Sequence, residues 1–386
     1  MRVQNMRRID RFAGIPFCWV LGLFLLLFPS RRKTSYDGGV RNVLVIKFFG
    51  MGSILLSTPA LRLIKESSPG VQISYLSFTA QRELLDRIPL VDNVLTVDSD
   101  SIRGFLIDVL HVLREIRRLQ FDAVFDFEFF SKFSTLLSGA TRAPIRIGFE
   151  LPTRWRSLVL THQVRLSKDR HVIEAFCDQV RILGNRCAAP EVEAPTTDRE
   201  DTRRLDEKLP LKNGPIICVN VNAGETFLER RWTPQKFAAL IDSLRVSRPG
   251  TDLVFLGIRS ERSYVQHVLD QIPESDHCFN AAGLLSIGEL ISLLSRCDLL
   301  ISNDSGPLHL AAALGTRCVG LYGPESPQFY GPISGSVTAI YKGVSCSPCM
   351  NIYDAKSFRC PYHARCMTAI EVADVEQALE SLPVAG

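Results

Sequence analysis

Short apolar runs recur along this chain, most of them followed by a turn and a stretch with helical spacing. Val43–Phe49 (VLVIKFF) is the clearest; the turn Gly50-Met51-Gly52-Ser53 closes it, and Ile54–Glu66 follows with apolar residues at helical intervals. A continuous apolar run suits a strand buried on both faces, which is the parallel kind. Val71–Phe78 and Asp92–Val97 read as further strands, Ile102–Leu119 as a long amphipathic helix, and Phe121–Phe127 and Ile145–Phe149 as strands. Such alternation implies a parallel sheet with helices on both faces. Charged, proline-bearing sequence over 188–214 interrupts the series and reads as linker with room for one short helix. A second series then runs through strands at Ile216–Val221, Leu253–Ile258, Asp298–Ser302 and Arg317–Tyr322. Its helices are at Pro234–Leu244, Glu261–Gln271, Ile287–Arg296 and Leu308–Leu314. The expected fold is α/β, with two doubly wound Rossmann-like domains, residues 41–190 and 215–386, joined by a linker at 191–214. Such domains bind ligands at the carboxyl ends of their strands, so a cleft between the two is expected.

With 46% apolar and 22% charged residues, the chain is not wholly disordered, collagen-like or coiled-coil. Residues 1–33 hold seven basic side chains against one acid, a charge of +6; the whole chain carries +4, so the remainder carries −2. A slightly acidic body has no nucleic-acid footprint. The first 40 residues form a separate basic and apolar segment. Residues 15–28 (IPFCWVLGLFLLLF) are uncharged, and with Ala13 and Gly14 they make 16 apolar or neutral residues before Pro29. A spanning helix needs about 17 or more. The exit Phe28-Pro29-Ser30-Arg31-Arg32 lacks the small residues of a signal-peptide cleavage site. A short span, a monotopic insertion, a signal peptide and a segment packed on the body all remain open. Basic flanks suit an anionic cytoplasmic leaflet, so a membrane-associating segment is expected. On that reading, a chain without residues 1–33 is soluble and still binds its ligand.

The most informative stretch is Asp298–Pro324 (DLLISNDSGPLHLAAALGTRCVGLYGP). An apolar strand runs into Asn303-Asp304-Ser305-Gly306, and a helix opens at Pro307, a favoured first position. Gly315 closes it. The exposed N–H groups of a helix start, with the positive end of the dipole, suit an anion. Ser305 adds a hydroxyl, His309 lies in the first turn, and Asp304 suits a sugar hydroxyl. An acid, a hydroxyl, a glycine and a histidine over six residues point to a diphosphate-bearing ligand.

NDSGPLHLAAALGT followed by VGLYGP resembles the donor-binding signature of glycosyltransferase family 9, the ADP-heptose:lipopolysaccharide heptosyltransferases. VLVIKFFGMGSILLSTPALRLIK resembles the family's opening strand, glycine turn and TPAL helix. FDAVFDFE, RIGF at 146–149, Asn222-Ala223-Gly224, Arg231-Trp232-Thr233-Pro234 and AAGLLSIGEL at 281–290 match in order. The resemblance covers about residues 41–380. It implies a GT-B fold, with an N-terminal acceptor-side domain and a C-terminal donor-binding domain. It also implies inverting transfer of a heptose or similar sugar from a nucleoside diphosphate, with no cofactor and no required metal. Carried over residue by residue, Asp304, Ser305, Gly306 and His309 hold the donor, Arg231 faces its phosphates, and Glu261 faces the nucleoside ribose. The implied partners are a nucleotide sugar, ADP-heptose foremost, and a lipid-linked or oligosaccharide acceptor. The implied location is the cytoplasmic face of the inner membrane.

One departure bears on the chemistry. The family turn usually reads Gly-Asp, its aspartate being the proposed general base; here Gly50 and Gly52 are followed by Ser53. A serine needs another base beside it to take a proton near neutral pH. Asp126 and Glu128, at the end of another strand, are the carboxylates expected to face the same cleft. The altered position also suits a catalytically weakened nucleotide-sugar-binding scaffold or sensor at the membrane, the alternative to an active enzyme.

Cys177, Cys187, Cys218, Cys278, Cys297 and Cys318 are scattered and read as small core residues. Cys346, Cys349, Cys360 and Cys366 are clustered around His363. A small structural metal site, disulfides and packed thiols are all compatible with that spacing.

Overall fold

The structure, a computed structural model, describes residues 3–27, 40–151, 155–167, 169–184, 191–212, 214–224, 227–273, 276–350 and 360–382. Residues 28–39 of the N-terminal segment, Cys187 and residues 351–359 of the cysteine-rich segment lie outside the described residues. The chain divides into two compact units, Met1–Glu193 and Ala194–Gly386.

The first unit carries six parallel strands: β1 (Asn42–Ile46), β2 (Gln72–Phe78), β3 (Asn93–Val97), β4 (Ala123–Asp126), β5 (Ile145–Phe149) and β6 (His162–Val164). Their order across the sheet is β3-β2-β1-β4-β5-β6. The second unit repeats the plan with β7 (Ile216–Asn220), β8 (Asp252–Phe255), β9 (Cys278–Asn280), β10 (Leu299–Asn303), β11 (Cys318–Tyr322) and β12 (Val337–Tyr341). Its order is β12-β11-β10-β7-β8-β9. The strand order therefore reverses between β1 and β4, and between β7 and β10. Ligands of open α/β sheets bind at the carboxyl ends of such pairs. The central strands are apolar because helices cover both faces: every residue of β4, β5, β7, β8, β10 and β11 is buried. These are the two doubly wound domains of a GT-B fold.

The expected helix Ile54–Glu66 is two helices, Met51–Leu56 and Thr58–Ser67. Pro59 has no N–H to continue the ladder. The Ser57 and Thr58 hydroxyls instead bond the carbonyls of Ile54 and Leu55, both at 2.7 Å. The stretch read as linker contains the helix Arg199–Lys208. It packs on the helix Ile287–Arg296 of the second unit, with Thr202 Oγ1 2.8 Å from Ser292 Oγ.

The N-terminal segment forms one helix, Val3–Leu27, with Pro16 inside it. Among the described residues no helix is long and apolar enough to cross a membrane. One narrow stripe of this helix, Gly14, Cys18, Gly22 and Leu25, is buried against the first unit. The glycines permit the close approach: a Cβ at Gly14 would sit 2.6 Å from Lys132 Cβ, and one at Gly22 would sit 2.5 Å from Leu158 Cβ. Cys18 and Leu25 join Trp155 and Val159 in a small apolar cluster that Leu21, Leu136 and Leu151 extend.

Candidate functional site

In the second unit, the reversal point is locked by side-chain amides. Asn220, at the end of β7, donates to Ser305 Oγ at 2.7 Å and to Ser302 Oγ at 3.1 Å. Asn303, at the end of β10, accepts from the Trp232 N–H at 3.0 Å and donates to the Val221 carbonyl at 2.9 Å. Both asparagines are buried, where an unpaired amide would cost about 1–3 kcal/mol. These bonds tie three chain segments into one frame. Ser305 then starts the helix Gly306–Ala313, and its side chain does not cap that helix. Its hydroxyl is committed to the frame, Pro307 has no N–H, and the Leu308 N–H bonds the Ser305 carbonyl at 3.2 Å, so what the helix start offers an anion is the positive end of its dipole.

Asp304 and His309 are buried, and His309 meets Tyr330 edge-on at 6.1 Å. Burial raises the Asp304 pKa, and the Arg230 guanidinium opposes that rise. Arg230 Nη1 lies 3.1 Å from Asp304 Oδ2. Arg231, the arginine singled out from sequence, turns the other way. Its guanidinium lies 3.6 Å from Glu261 and stacks over the Tyr264 ring at 4.2 Å. Glu261 accepts from the Ile258 N–H at 3.0 Å, which fixes it at the end of β8. The structure therefore brings Arg230, Asp304, Ser305, Gly306 and His309 together at β10, and Arg231 and Glu261 at β8. Among the described residues, Nε of each arginine, Asn222 Oδ1 and Tyr322 Oη are buried without a hydrogen-bond partner.

Glu325, in the loop after β11, was not anticipated. Burial, with the nearby negative Asp304, pushes its carboxyl up to about 7, and Arg230 offsets part of this. Arg230 was missed because it adjoins Arg231. Only the short turn Leu228–Arg230 decides which guanidinium faces which acid. For Glu325 the sequence carried no signal.

In the first unit, Gly50 has φ +87°, and a Cβ there would lie 3.1 Å from Ser53 Oγ, so the glycine is required locally. Gly52 and Ser53 are buried in the first turn of Met51–Leu56. Glu128 Oε1 accepts from Lys47 Nζ at 3.0 Å, Phe48 N at 2.7 Å and Phe49 N at 3.0 Å. It is thus fastened to the backbone that leads into Gly50–Ser53. Asp126 is fully buried. Its Oδ2 accepts from Arg156 Nη2 at 2.6 Å, and from Ser134 and Thr135, each at 3.0 Å. A carboxylate so enclosed holds the sheet end together and has no open side for an acceptor hydroxyl.

No disulfide joins the described cysteines. Among the described residues no group of three or more His, Cys, Asp or Glu is placed to hold a metal ion.

Comparison with known proteins bears on the fold and the family. Residues 109–357 match glycosyltransferase family 9 (heptosyltransferase). The chain is 21% identical over 308 residues to the lipopolysaccharide core heptosyltransferase OpsX of Haemophilus influenzae, covering 78% of this chain and 85% of that one. It is 23% identical over 315 residues to lipopolysaccharide heptosyltransferase 2 of Salmonella typhimurium, covering 77% and 87%. Among solved structures, a family 9 glycosyl transferase from Veillonella parvula superposes with a TM-score of 0.74 at 24% identity, over 89% of this chain and 97% of that one. The E. coli ADP-heptose lps heptosyltransferase II gives 0.70 at 20% identity, over 88% and 98%. The chain belongs to glycosyltransferase family 9 and is a glycosyltransferase.

Proposed function

We propose that this enzyme moves a heptose, or a closely similar sugar, from ADP-heptose to a lipopolysaccharide or surface-polysaccharide acceptor at the cytoplasmic face of the inner membrane. The observation that carries the reading is the β7–β10 end of the second unit. There a helix start, Asp304, His309 and Arg230 converge, with Arg231 and Glu261 at the end of the neighbouring β8, within a family 9 chain. The names of the relatives supply the sugar and the acceptor.

The transfer is a direct displacement. The acceptor oxygen bonds to the anomeric carbon as the bond to the diphosphate breaks, and the diphosphate leaves with the electron pair. Arg230, Arg231 and the positive end of the helix Gly306–Ala313 are suited to hold that developing charge. Asp304 suits a sugar hydroxyl, and Glu261 the ribose. The acceptor proton passes to a base on the first unit. Glu128 is our candidate, since it is fastened beside the Gly50–Ser53 turn, with Ser53 orienting the hydroxyl. Incubating labelled ADP-heptose with a lipid-linked or oligosaccharide acceptor tests the reading. Product with an inverted anomeric configuration supports it; donor binding without turnover over a broad acceptor panel returns the scaffold reading.

A further inference from the structure

The outer surface of the first unit carries two exposed apolar helix faces in one layer. The helix Lys132–Ala140 lies between them. One side of it, Lys132 and Gly139, meets Gly14 and Leu21 of Val3–Leu27. Its Phe133 ring sits 5.2 Å from that of Phe105 on the helix Ile102–Leu119. Neighbouring packed helices lie roughly 8–10 Å apart, so the two outer helices flank a single strip of surface.

On Val3–Leu27 the stripe Gly14–Cys18–Gly22–Leu25 faces the body, and Phe17, Trp19, Val20, Leu23 and Leu27 face outward, each 51–68% exposed. No described residue of that face is charged. Arg142 borders it, its guanidinium 5.8 Å from the Phe24 ring centre. On Ile102–Leu119 the outward stripe is Ile102, Leu106, Ile107 and Leu110, each 56–63% exposed. Arg103 stands among these residues, and Arg114 and Arg117 continue the stripe one and two turns beyond Leu110, all three exposed. Apolar residues interleaved with arginines on one face are the pattern of a helix lying in a bilayer interface, apolar side in the acyl boundary and guanidinium groups at anionic headgroups. In sequence, residues 1–33 carry a charge of +6.

We infer that these two helices together form a monotopic docking face for an anionic bilayer, with Val3–Leu27 lying in the interface plane. One side of that helix is occupied by Lys132, Trp155, Leu158 and Val159, so it cannot be ringed by lipid while it stays on the body. The inference deepens the membrane reading proposed above by naming its surface, and it needs no particular donor or acceptor.

The test uses the full chain and sedimentation with phosphatidylcholine vesicles, with and without phosphatidylglycerol. Wild type is expected to bind the anionic vesicles. The pairs Leu106→Ser with Leu110→Ser, and Arg114→Glu with Arg117→Glu, should each lower the partition coefficient at least about tenfold. Val246→Ser, at an exposed apolar position of the second unit, should leave it unchanged. All variants should melt like wild type and turn over a water-soluble acceptor at the wild-type rate. Trp19 fluorescence should be quenched most by lipids labelled near the headgroup. Vesicle binding unaffected by both pairs, quenching only by deeply labelled lipids, or a stable dimer that protects both stripes would each overturn the inference. Vesicle binding with no transfer to any acceptor would instead sink the proposed reaction and leave the docking face standing.

Discussion

Arg230 places its Nη1 3.1 Å from Asp304 Oδ2, so a guanidinium from the turn before Trp232 neutralises the acid that closes β10. Removing it leaves a buried carboxylate unpaired, and proton uptake relieves only part of that cost. Arg230→Ala should lower stability by about 1–3 kcal/mol and weaken ADP binding at least about tenfold, read by calorimetry. Arg231→Ala should weaken binding with a smaller loss of stability, because Glu261 keeps its backbone donor. Wild-type affinity in both variants would remove the arginines from the donor site.

Asp304→Ala and His309→Ala should each weaken nucleotide-sugar binding while circular dichroism and cooperative melting stay as in wild type. If both bind donor like the parent, the strand–helix junction is not where the diphosphate sits.

Glu325 sets a pH dependence. Its carboxyl titrates near 7 in the folded protein against an ordinary value of 4.5. Between those values the folded state holds more protons than the unfolded, so stability falls as pH rises from about 4.5 to 7. Glu325→Gln should raise the melting temperature at pH 8, by at most about 3 kcal/mol in free energy, and leave it unchanged near pH 4. An anionic donor bound beside Glu325 favours its protonated form, so affinity should fall as pH rises through 7, and the glutamine variant should flatten that profile. Equal slopes in both proteins would separate Glu325 from the donor.

On the first unit, Ser53→Asp should keep or raise turnover, and Glu128→Gln should lower it more than Ser53→Ala does. A general base contributes about 10²–10⁴-fold. Glu128 also braces Lys47, Phe48 and Phe49, so the glutamine variant needs a melting curve beside its rate. A rate loss at unchanged KM and near-native stability supports proton transfer. Equal, negligible effects of all three changes on a measurable turnover would leave the base elsewhere.

The central strands were legible because strands covered by helices on both faces carry continuous apolar runs, as Val43–Ile46 in β1 and Leu299–Ile301 in β10 do. β6 (HQV) and β9 (CFN) were not, since three half-buried residues carry no period. The helix Lys132–Ala140 (KFSTLLSGA) was missed because much of its buried surface is Ser, Thr and Gly; packing, not hydropathy, selects them. The donor-side junction was read from its turn and helix-start chemistry. The partners of its acids were not legible: Arg230 lies 74 residues from Asp304, and Arg156 lies 30 from Asp126. Pairings across such separations are decided by the folded chain. Asp126 looked available from sequence because nothing in FDAVFDFE announces the arginine that encloses it.

Because Cys18 and Leu25 complete an apolar cluster with Trp155 and Val159, a shortened chain beginning after residue 33 would leave Trp155 and Val159 wet and self-adhesive. Trimming the N-terminus is therefore a poor route to a well-behaved preparation. Polar replacements at Phe17, Val20 and Leu23, which leave the glycine seam intact, are the change this packing tolerates.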